Sequence, residues 1–158
     1  MYQIIEKKVI RKEKCLVFCH HTMLLDIVEE YIKLKFGDKT DFYIRLDGTT
    51  PIDTRQKLVE QFQTSSSTLI FLLSTKAAGQ GLNLTAASTV IMMDIDYNPQ
   101  IERQAEDRVH RLGQSKDVSI FKLICRNSIE EDILKCCESK LSLDAAFGGS
   151  ETIYLKDR

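Results

Sequence analysis

The sequence has no apolar run long enough to cross a membrane as a helix. No stretch of its 158 residues approaches the ~20 apolar residues that span a bilayer. The opening segment, MYQIIEKKVIRKEK, contains no apolar core of the kind found in secretory signals. We therefore expect no membrane partner and no secretion.

An excess of charge of one sign is also missing. The 22 Lys and Arg residues face 23 Asp and Glu residues, giving a formal net charge of −1. This balance excludes a polycation that coats nucleic acid through its total charge, so a nucleic-acid site must be a local patch. Residues 1–14 are locally basic, and such a run is most often a solvated linker or a helix end.

Cysteine is present without the pattern of a disulfide framework. The chain has five cysteines, an odd number, which together with the missing signal predicts reduced thiols in the cytosol or nucleus. Cys15 and Cys19 precede His20 and His21, which raises the question of zinc. Both cysteines fall on a predicted buried strand and no second ligand pair follows at zinc-finger spacing, so we expect no metal site.

Short apolar runs alternate with longer amphipathic ones along the chain. Nearly continuous apolar runs are typical of strands in parallel sheets that are covered on both faces. Strands are predicted at residues 15–19, 42–46, 68–74, 89–94 and 118–124. The alternation predicts an α/β fold with an open, mostly parallel sheet and helices on both faces.

Capping residues predict where the intervening helices begin and end. Thr22, Asp53 and Asn98 are candidate N-caps, the last because Pro99 follows it, and Gly37 is a candidate stop. The helix that opens at Asn98 is expected to end near Gly113. A last helix is predicted from a capping box of Ser128 and Glu131 to about Phe147.

A glycine-containing segment, STKAAGQGLNL at residues 74–84, follows the third predicted strand. Gly79 and Gly81 permit a positive φ or close backbone approach. Ser74, Thr75 and Lys76 supply hydroxyls and a charge that suit phosphate binding. Taken alone, the segment is more simply a tight connection punctuated by glycine.

A second segment, QAEDRVHRLGQ at residues 104–114, carries two arginines at helical spacing. If the segment is helical, Gln104, Arg108 and Arg111 share one face. Guanidinium groups match phosphate oxygens bidentately, so a triphosphate would suit this face. The alternative, which composition alone favours, is a solvated face whose arginines pair with neighbouring acidic residues.

The two segments together with four others resemble a known family. The blocks are LVFCHHT (16–22), RLDGTT (45–50), TRQKLVEQF (54–62), LLSTKAAGQGLNLTAA (72–87), DIDYNP (94–99) and RQAEDRVHRLGQ (103–114). In this order they resemble the C-terminal RecA-like (helicase C) lobe of Swi–Snf-type chromatin-remodelling ATPases. Within that group the chain is most similar to the single-subunit Etl-type subgroup.

The resemblance implies a fold and a division of the chain. The fold is a RecA-like lobe, a P-loop NTPase-like three-layer α/β/α structure. Residues 1–14 would be a basic linker and residues 15–127 the lobe. Residues 128–147 would form a helix packed on the lobe, and residues 148–158 a tail for which disorder is one option.

The resemblance also implies a function in two halves. The chain would be the second ATPase lobe of a DNA-dependent ATPase and DNA translocase that acts on nucleosomes in the nucleus. The first lobe of the same protein would bind ATP and hold Mg²⁺; this sequence has neither G-x-x-x-x-G-K-[ST] nor an Asp-Glu-x-His box. Alone, the chain is expected to be monomeric and inactive, with the first lobe and duplex DNA or a nucleosome as partners.

Residue roles follow from the same resemblance. Arg111 would be the arginine finger, Arg108 the second γ-phosphate arginine and Gln104 their orienting partner. The nucleotide-facing residues would be Gly79, Gly81 and Asn83, and the DNA-backbone contacts Thr22, Ser74, Thr75 and Lys76.

The sequence departs from the family pattern at a few positions. Ala78 stands where glycine is usual, and a positive φ there would cost about 1 kcal/mol. Tyr97 replaces a tryptophan. His20 and His21 stand where glutamine and an aromatic residue are usual.

Three other interpretations stay open. The chain could be a degenerate, non-catalytic lobe that serves as a DNA- or protein-interaction module, although the presence of Gly79, Gly81, Arg108 and Arg111 argues against it. It could belong to an RNA-dependent helicase of the same superfamily. An unrelated Rossmann- or flavodoxin-type enzyme is disfavoured because no G-x-G-x-x-G follows the first strand.

Overall fold

The computed structural model of the chain describes residues 1–37, 41–78, 81–111 and 113–146, without the side chains of residues 78 and 144–146. Gly79 and the predicted tail at residues 148–158 lie outside the described residues. Within the described part, no helix is both long and apolar enough to cross a membrane.

Within the described ranges, five parallel strands form one sheet in the order β2-β3-β1-β4-β5. They are β1 Cys15–Cys19, β2 Tyr43–Leu46, β3 Ile70–Ser74, β4 Thr89–Met92 and β5 Ser119–Lys122. Every residue of the central strand β1 is buried, as its continuous apolar run predicts. The predicted open parallel sheet is confirmed.

Six helices accompany the sheet in the part of the chain that the structure describes. They are α1 Tyr2–Ile10, α2 Thr22–Phe36, α3 Ile52–Thr64, α4 Thr75–Ala78, α5 Pro99–Asp107 and α6 Ile129–Ala146. Alternate residues of β1 point to opposite faces of the sheet. Val17 packs in one cluster with α1 and α2, while Phe18 packs in another with residues of α3 and α5. Helices therefore cover both faces, as predicted.

The segment predicted as a basic linker, residues 1–14, contains the packed helix α1. Ile5 is fully buried against the sheet, and the ring of Tyr2 stacks on Tyr31 of α2 at 3.8 Å between centroids. The Tyr31 hydroxyl donates to Glu6 at 2.6 Å. The basic residues lie around this apolar contact, so the locally basic segment forms an amphipathic helix.

Two of the predicted N-caps are wrong. Thr22 is the first residue of α2 rather than its cap, and the N-cap of α3 is Pro51, with Asp53 in its first turn. Asn98 is confirmed, since its side chain accepts from Gln100 N at 3.1 Å. Gly37 also ends α2 as predicted, with a φ of 81°.

The predicted capping box of α6 differs in its partner. Glu130 N–H donates to the Ser128 hydroxyl at 3.2 Å, so Ser128 does cap the helix. The carboxylate that reaches back belongs to Glu130 instead of Glu131, and it accepts from Cys125 N at 2.6 Å. The helix runs to Ala146, close to the predicted end.

The prediction that α5 runs to about Gly113 is wrong. The helix ends at Asp107, Arg108 is its C-cap, and a turn follows in which Arg111 N donates to Val109 O at 3.0 Å. Arg111 therefore lies beyond the helix. Ala78 lies in α4, whose helical φ is negative, so the strain considered for that position does not arise.

Candidate functional site

Several of the predicted site residues that the structure describes lie where parallel strands end. β1 leads into Thr22 of α2, β3 leads into α4, and β4 leads through residues 93–98 into α5. In open α/β sheets, ligands bind at this carboxyl edge because several strand-to-helix connections meet there. Two groups of side chains can be distinguished, one around the arginines and one around Thr75.

The arginine segment, residues 108–111, packs against the loop that follows α4. The carbonyl of Arg108 accepts from Leu84 N at 3.0 Å. The Nη1 of Arg111 donates to the carbonyl of Gly81 at 3.3 Å. The structure thus brings Arg108, Arg111 and Gly81 together, even though Arg108 and Arg111 do not share a helix face.

Glycine is required at one of these positions. Gly81 has a φ of +78°, in the left-handed region that L side chains rarely adopt. The loop after Gly81 is also held by a side chain of α3, since Asn83 O accepts from Gln63 Nε2 at 2.7 Å. The side chain of Asn83 is exposed, as is Gln104 on α5.

Gln114, to which sequence analysis assigns no role, fixes the loop to the arginine segment. Its Nε2 donates to the carbonyl of Thr85 at 3.1 Å and to that of Ala87 at 2.9 Å. A weaker contact reaches Val109 O at 3.4 Å. The only sequence signal for this residue is its place at the end of the QAEDRVHRLGQ block.

Arg108 carries an unused donor. Its Nε is buried and has no hydrogen-bond partner among the described residues. A buried polar group without a partner costs about 1–3 kcal/mol, and more when it is charged. An anion placed against this guanidinium would remove the cost, so the group suits a phosphate.

Two acidic neighbours of the arginines, Glu102 and Glu106, form ion pairs elsewhere. Lys122 of β5 lies 2.7 Å from Glu102 and 3.2 Å from Glu106. Among the described residues, no carboxylate lies within ion-pair distance of Arg108 or Arg111. The alternative in which these arginines pair with local acidic side chains is therefore not what the structure shows.

The second group comprises Ser74 at the end of β3 and Thr75 and Lys76 at the start of α4, which we call the Thr75 loop, together with Thr22 of α2. Ser74 is 4% exposed, and its hydroxyl accepts from Ala77 N at 3.3 Å, which caps α4. Thr75 is 9% exposed, and its Oγ1 lies 3.3 Å from Nδ1 of His20. Lys76 and Thr22 are exposed.

Asp94 holds the turn between β1 and α2. Its carboxylate accepts from His20 N at 2.7 Å and from His21 N at 3.3 Å. A side chain from β4's end thus satisfies backbone donors 74 and 73 residues away, in place of the predicted cap by Thr22.

In a third group of side chains, around Arg45, the positive charge is paired with carboxylates of the same group. Arg45 Nε donates to Asp47 at 2.8 Å, and its Nη1 donates to Asp26 at 2.6 Å and to Glu29 at 2.7 Å. Hydrogen bonds from the Thr49 side chain, with further help from Arg45, lower the pKa of Asp47. This network fixes the RLDGTT loop.

The buried thiols of β1 are chemically quiet. Burial raises the pKa of Cys15 and that of Cys19 to about 12, so both stay protonated at neutral pH. Across the described ranges, no group of three or more His, Cys, Asp or Glu residues is placed to hold a metal ion.

Comparison with known proteins identifies the domain. The helicase conserved C-terminal domain matches residues 1–113. The chain belongs to the helicase conserved C-terminal domain family. A crystal structure of the C-terminal part of the Fun30 ATPase domain superposes with a TM-score of 0.75 at 43% identity, over 82% of this chain and 40% of that one. This likeness confirms the predicted RecA-like lobe.

Relatives of this helicase C-terminal domain include a protein named as a regulator of chromatin and one named as an ATP-dependent helicase. The chain is 48% identical over 139 residues to the SWI/SNF-related matrix-associated actin-dependent regulator of chromatin subfamily A containing DEAD/H box 1 homolog of Drosophila melanogaster. It is 42% identical over 140 residues to the ATP-dependent helicase fft1 of Schizosaccharomyces pombe. The matches cover 87% and 89% of this chain but 16% and 14% of the relatives. The Swi–Snf-type resemblance is thereby confirmed.

Proposed function

We propose that this chain is the second ATPase lobe of a DNA-dependent ATPase that translocates on duplex DNA and remodels nucleosomes in the nucleus. The observation that carries the proposal is the arginine segment. The Arg111 guanidinium lies beside Gly81, and the backbone carbonyl of Arg108 bonds Leu84 N of the same loop. Neither guanidinium has a carboxylate partner among the described residues, and that of Arg108 has a buried, unused N–H. Guanidinium groups without a carboxylate partner can bind an anion.

The anion proposed is the triphosphate of ATP, held by the first lobe. Phosphoryl transfer spreads negative charge over the transferring oxygens, and a positioned arginine stabilises that charge. Arg111 would act as the finger and Arg108 as the second γ-phosphate arginine. Gln104, exposed on α5, would orient them, and the loop at Gly79, Gly81 and Asn83 would close over the nucleotide.

Because arginines and phosphate loop would lie on different lobes, hydrolysis would require lobe closure. Mg²⁺ would be held by the first lobe. Tyr97, Ile129 and Leu143 present apolar surface, being 55%, 62% and 58% exposed. Such surface on and near α6 suits packing against that partner lobe.

The Thr75 loop is proposed as the DNA-facing group. Thr22 and Lys76 are exposed at the carboxyl edge of the sheet, and hydroxyls, ammonium groups and helix starts are common phosphate ligands. Ser74 would support the loop through its bond to Ala77 N. Contacts of this kind carry no sequence information, so binding would be sequence-independent and sensitive to salt.

The two-lobe proposal is tested by ATP hydrolysis in two proteins, this chain alone and this chain joined to the segment that precedes it in its gene. We expect no turnover from the chain alone, and turnover that rises with duplex DNA from the joined protein. Turnover by the chain alone would contradict the proposal. Absence of ATP turnover in both proteins would favour the alternative of a degenerate, non-catalytic module.

The DNA-facing assignment predicts a separate effect of Thr75→Val. This isosteric change removes one hydroxyl, so about 5-fold more duplex DNA should be needed to stimulate the joined ATPase. Thr64→Val is the control, since the Thr64 hydroxyl bonds only Glu60 O within α3 in the described structure. Equal stimulation of the unchanged protein and of both variants would contradict the assignment of Thr75 to the DNA contact.

A further inference from the structure

His20 lies between two connections that carry different parts of the proposed machinery. Its Nδ1 is 3.3 Å from Oγ1 of Thr75 and 3.5 Å from Oδ2 of Asp96. Thr75 opens α4 after β3, whereas Asp96 lies in the connection from β4 to α5, two residues before Asn98. One ring atom thus contacts both the proposed DNA-facing loop and the connection into α5, the helix that precedes the arginine segment.

The backbone around His20 is held firmly in place. Asp94 accepts hydrogen bonds from the N–H groups of His20 and His21, which anchors the turn to β4. The His21 ring meets the His20 ring edge-on at 5.2 Å between centroids. The side chains of His20 and Asp96 are only 23% and 26% exposed. The imidazole therefore has little freedom to leave Thr75.

The proton on Nδ1 decides what Thr75 can do. A hydroxyl has one hydrogen to donate, and a phosphate oxygen can only accept. If Nδ1 were a bare lone pair, it would take the Thr75 hydrogen and leave nothing for a phosphate. If Nδ1 carries hydrogen, it donates either to Thr75 Oγ1 or to the Asp96 carboxylate, and the Thr75 hydrogen stays free.

We propose that His20, held with hydrogen on Nδ1 by Asp96, is a positioning residue that keeps the Thr75 hydroxyl turned outward as a donor to a DNA phosphate. The inference rests on the proposed role of Thr75. Carboxylates commonly fix the tautomer of a histidine in this way. The same contact ties the Thr75 loop to the connection that leads into α5.

The test is a double-mutant cycle on the complete protein that carries this chain. The probe is a fluorescein-labelled 30-base-pair duplex at one fixed salt concentration, and the readout is its dissociation constant. Thr75→Val and His20→Ala should each weaken binding about 5-fold, the equivalent of one hydrogen bond. Because His20 acts through Thr75, the double variant should bind no more than about 2-fold worse than either single variant.

A conservative variant separates positioning from simple structural support. Asn at position 20 can place an amide N–H near the site of Nδ1, so His20→Asn should bind within about 2-fold of the unchanged protein. Asp96→Ala should weaken binding in the unchanged protein and have little effect in the Thr75→Val background. The melting temperature of each variant checks that the fold is kept.

Several results would overturn the inference. Independent losses that multiply to about 25-fold in the double variant would show that His20 does not act through Thr75. Unchanged binding by His20→Ala, or failure of His20→Asn to restore binding, would do the same. If Thr75→Val alone had no effect, the DNA contact in the proposed function would fail first and the inference with it.

Discussion

Arg45 and Arg111 show two opposite ways of placing an arginine in one small domain. Arg45 donates to three carboxylates, from α2 and from the loop after β2. Among the described residues, the Arg111 side chain donates to one backbone carbonyl, that of Gly81 at 3.3 Å, and the buried Nε of Arg108 has no partner. The charge of the first arginine is balanced within the fold, whereas the other two have no carboxylate partner among the described residues. This difference is why Arg108 and Arg111, and not Arg45, are proposed to meet an anion.

The largest expected effect is on catalysis by Arg111→Ala. Loss of an arginine finger lowers hydrolysis by a factor of about 10³–10⁵. We expect that loss in the protein joined to its first lobe, with ATP binding largely kept. Single-turnover hydrolysis and equilibrium nucleotide binding measure the two quantities. Near-normal turnover by the variant would contradict the finger assignment and leave Arg111 no different in function from Arg45.

For Arg45→Met we expect a loss of stability, in contrast to the loss of catalysis expected for Arg111→Ala. The change leaves the carboxylate of Asp47, which is 7% exposed, without its cation. Glu29, which is 19% exposed, keeps Lys33 at 3.1 Å as its remaining ion-pair partner among the described residues. We expect a loss of about 2 kcal/mol in the free energy of unfolding, less than for a fully buried pair because Arg45 is 23% exposed. Urea unfolding of the chain measures it.

Arg11→Met is the matched control for this loss. Arg11 is exposed just after α1, so its replacement should shift the unfolding free energy by no more than about 0.5 kcal/mol. Equal stability of the Arg45 and Arg11 variants would mean that the carboxylate network contributes nothing.

A smaller effect is expected at the loop that Arg111 contacts. Gly81→Ala should cost about 1 kcal/mol, since a Cβ at φ +78° is strained even though no described residue other than its chain neighbours has an atom within 4 Å of it. Gly48→Ala is the control, because Gly48 is equally open and needs no positive φ. If both variants unfold at the same urea concentration, Gly81 is not required for backbone geometry.

The smallest expected effect is a pH dependence at Asp47. Its pKa is lowered from 3.8 in the fold, so its contribution to stability is present above the unfolded pKa and is lost as the pH falls through the folded pKa. The difference in unfolding free energy between the unchanged protein and Asp47→Asn should shrink as the pH falls below about 4. A difference that stays constant from pH 7 to pH 3 would contradict this assignment.

The strands could be predicted because burial on both faces leaves a direct signal. The run CLVFC predicts residues 15–19, which are the bounds of β1. Asn98 followed by Pro99 likewise predicts the start of α5, since its cap is made by its own side chain. Where the stabilising contact is local, sequence reasoning succeeds.

Contacts between distant segments are what sequence reasoning missed. Thr22 is not a cap because Asp94, more than 70 residues away, binds the turn before α2. The end of α5 at Asp107 is tied to a bond between Leu84 N and Arg108 O. The role of Gln114 rests on carbonyls of a loop nearly 30 residues earlier. None of these pairings has a local sequence signature.

The most direct test of the central claim is nucleotide binding by the joined protein with and without Arg111. An arginine that acts on the transferring phosphoryl group should favour a transition-state analogue over product. We predict that the unchanged protein binds ADP with aluminium fluoride far more tightly than ADP alone. We also predict that Arg111→Ala loses that preference while its affinity for ADP stays the same. An equal preference in both proteins would contradict the assignment of Arg111 to the reacting phosphate.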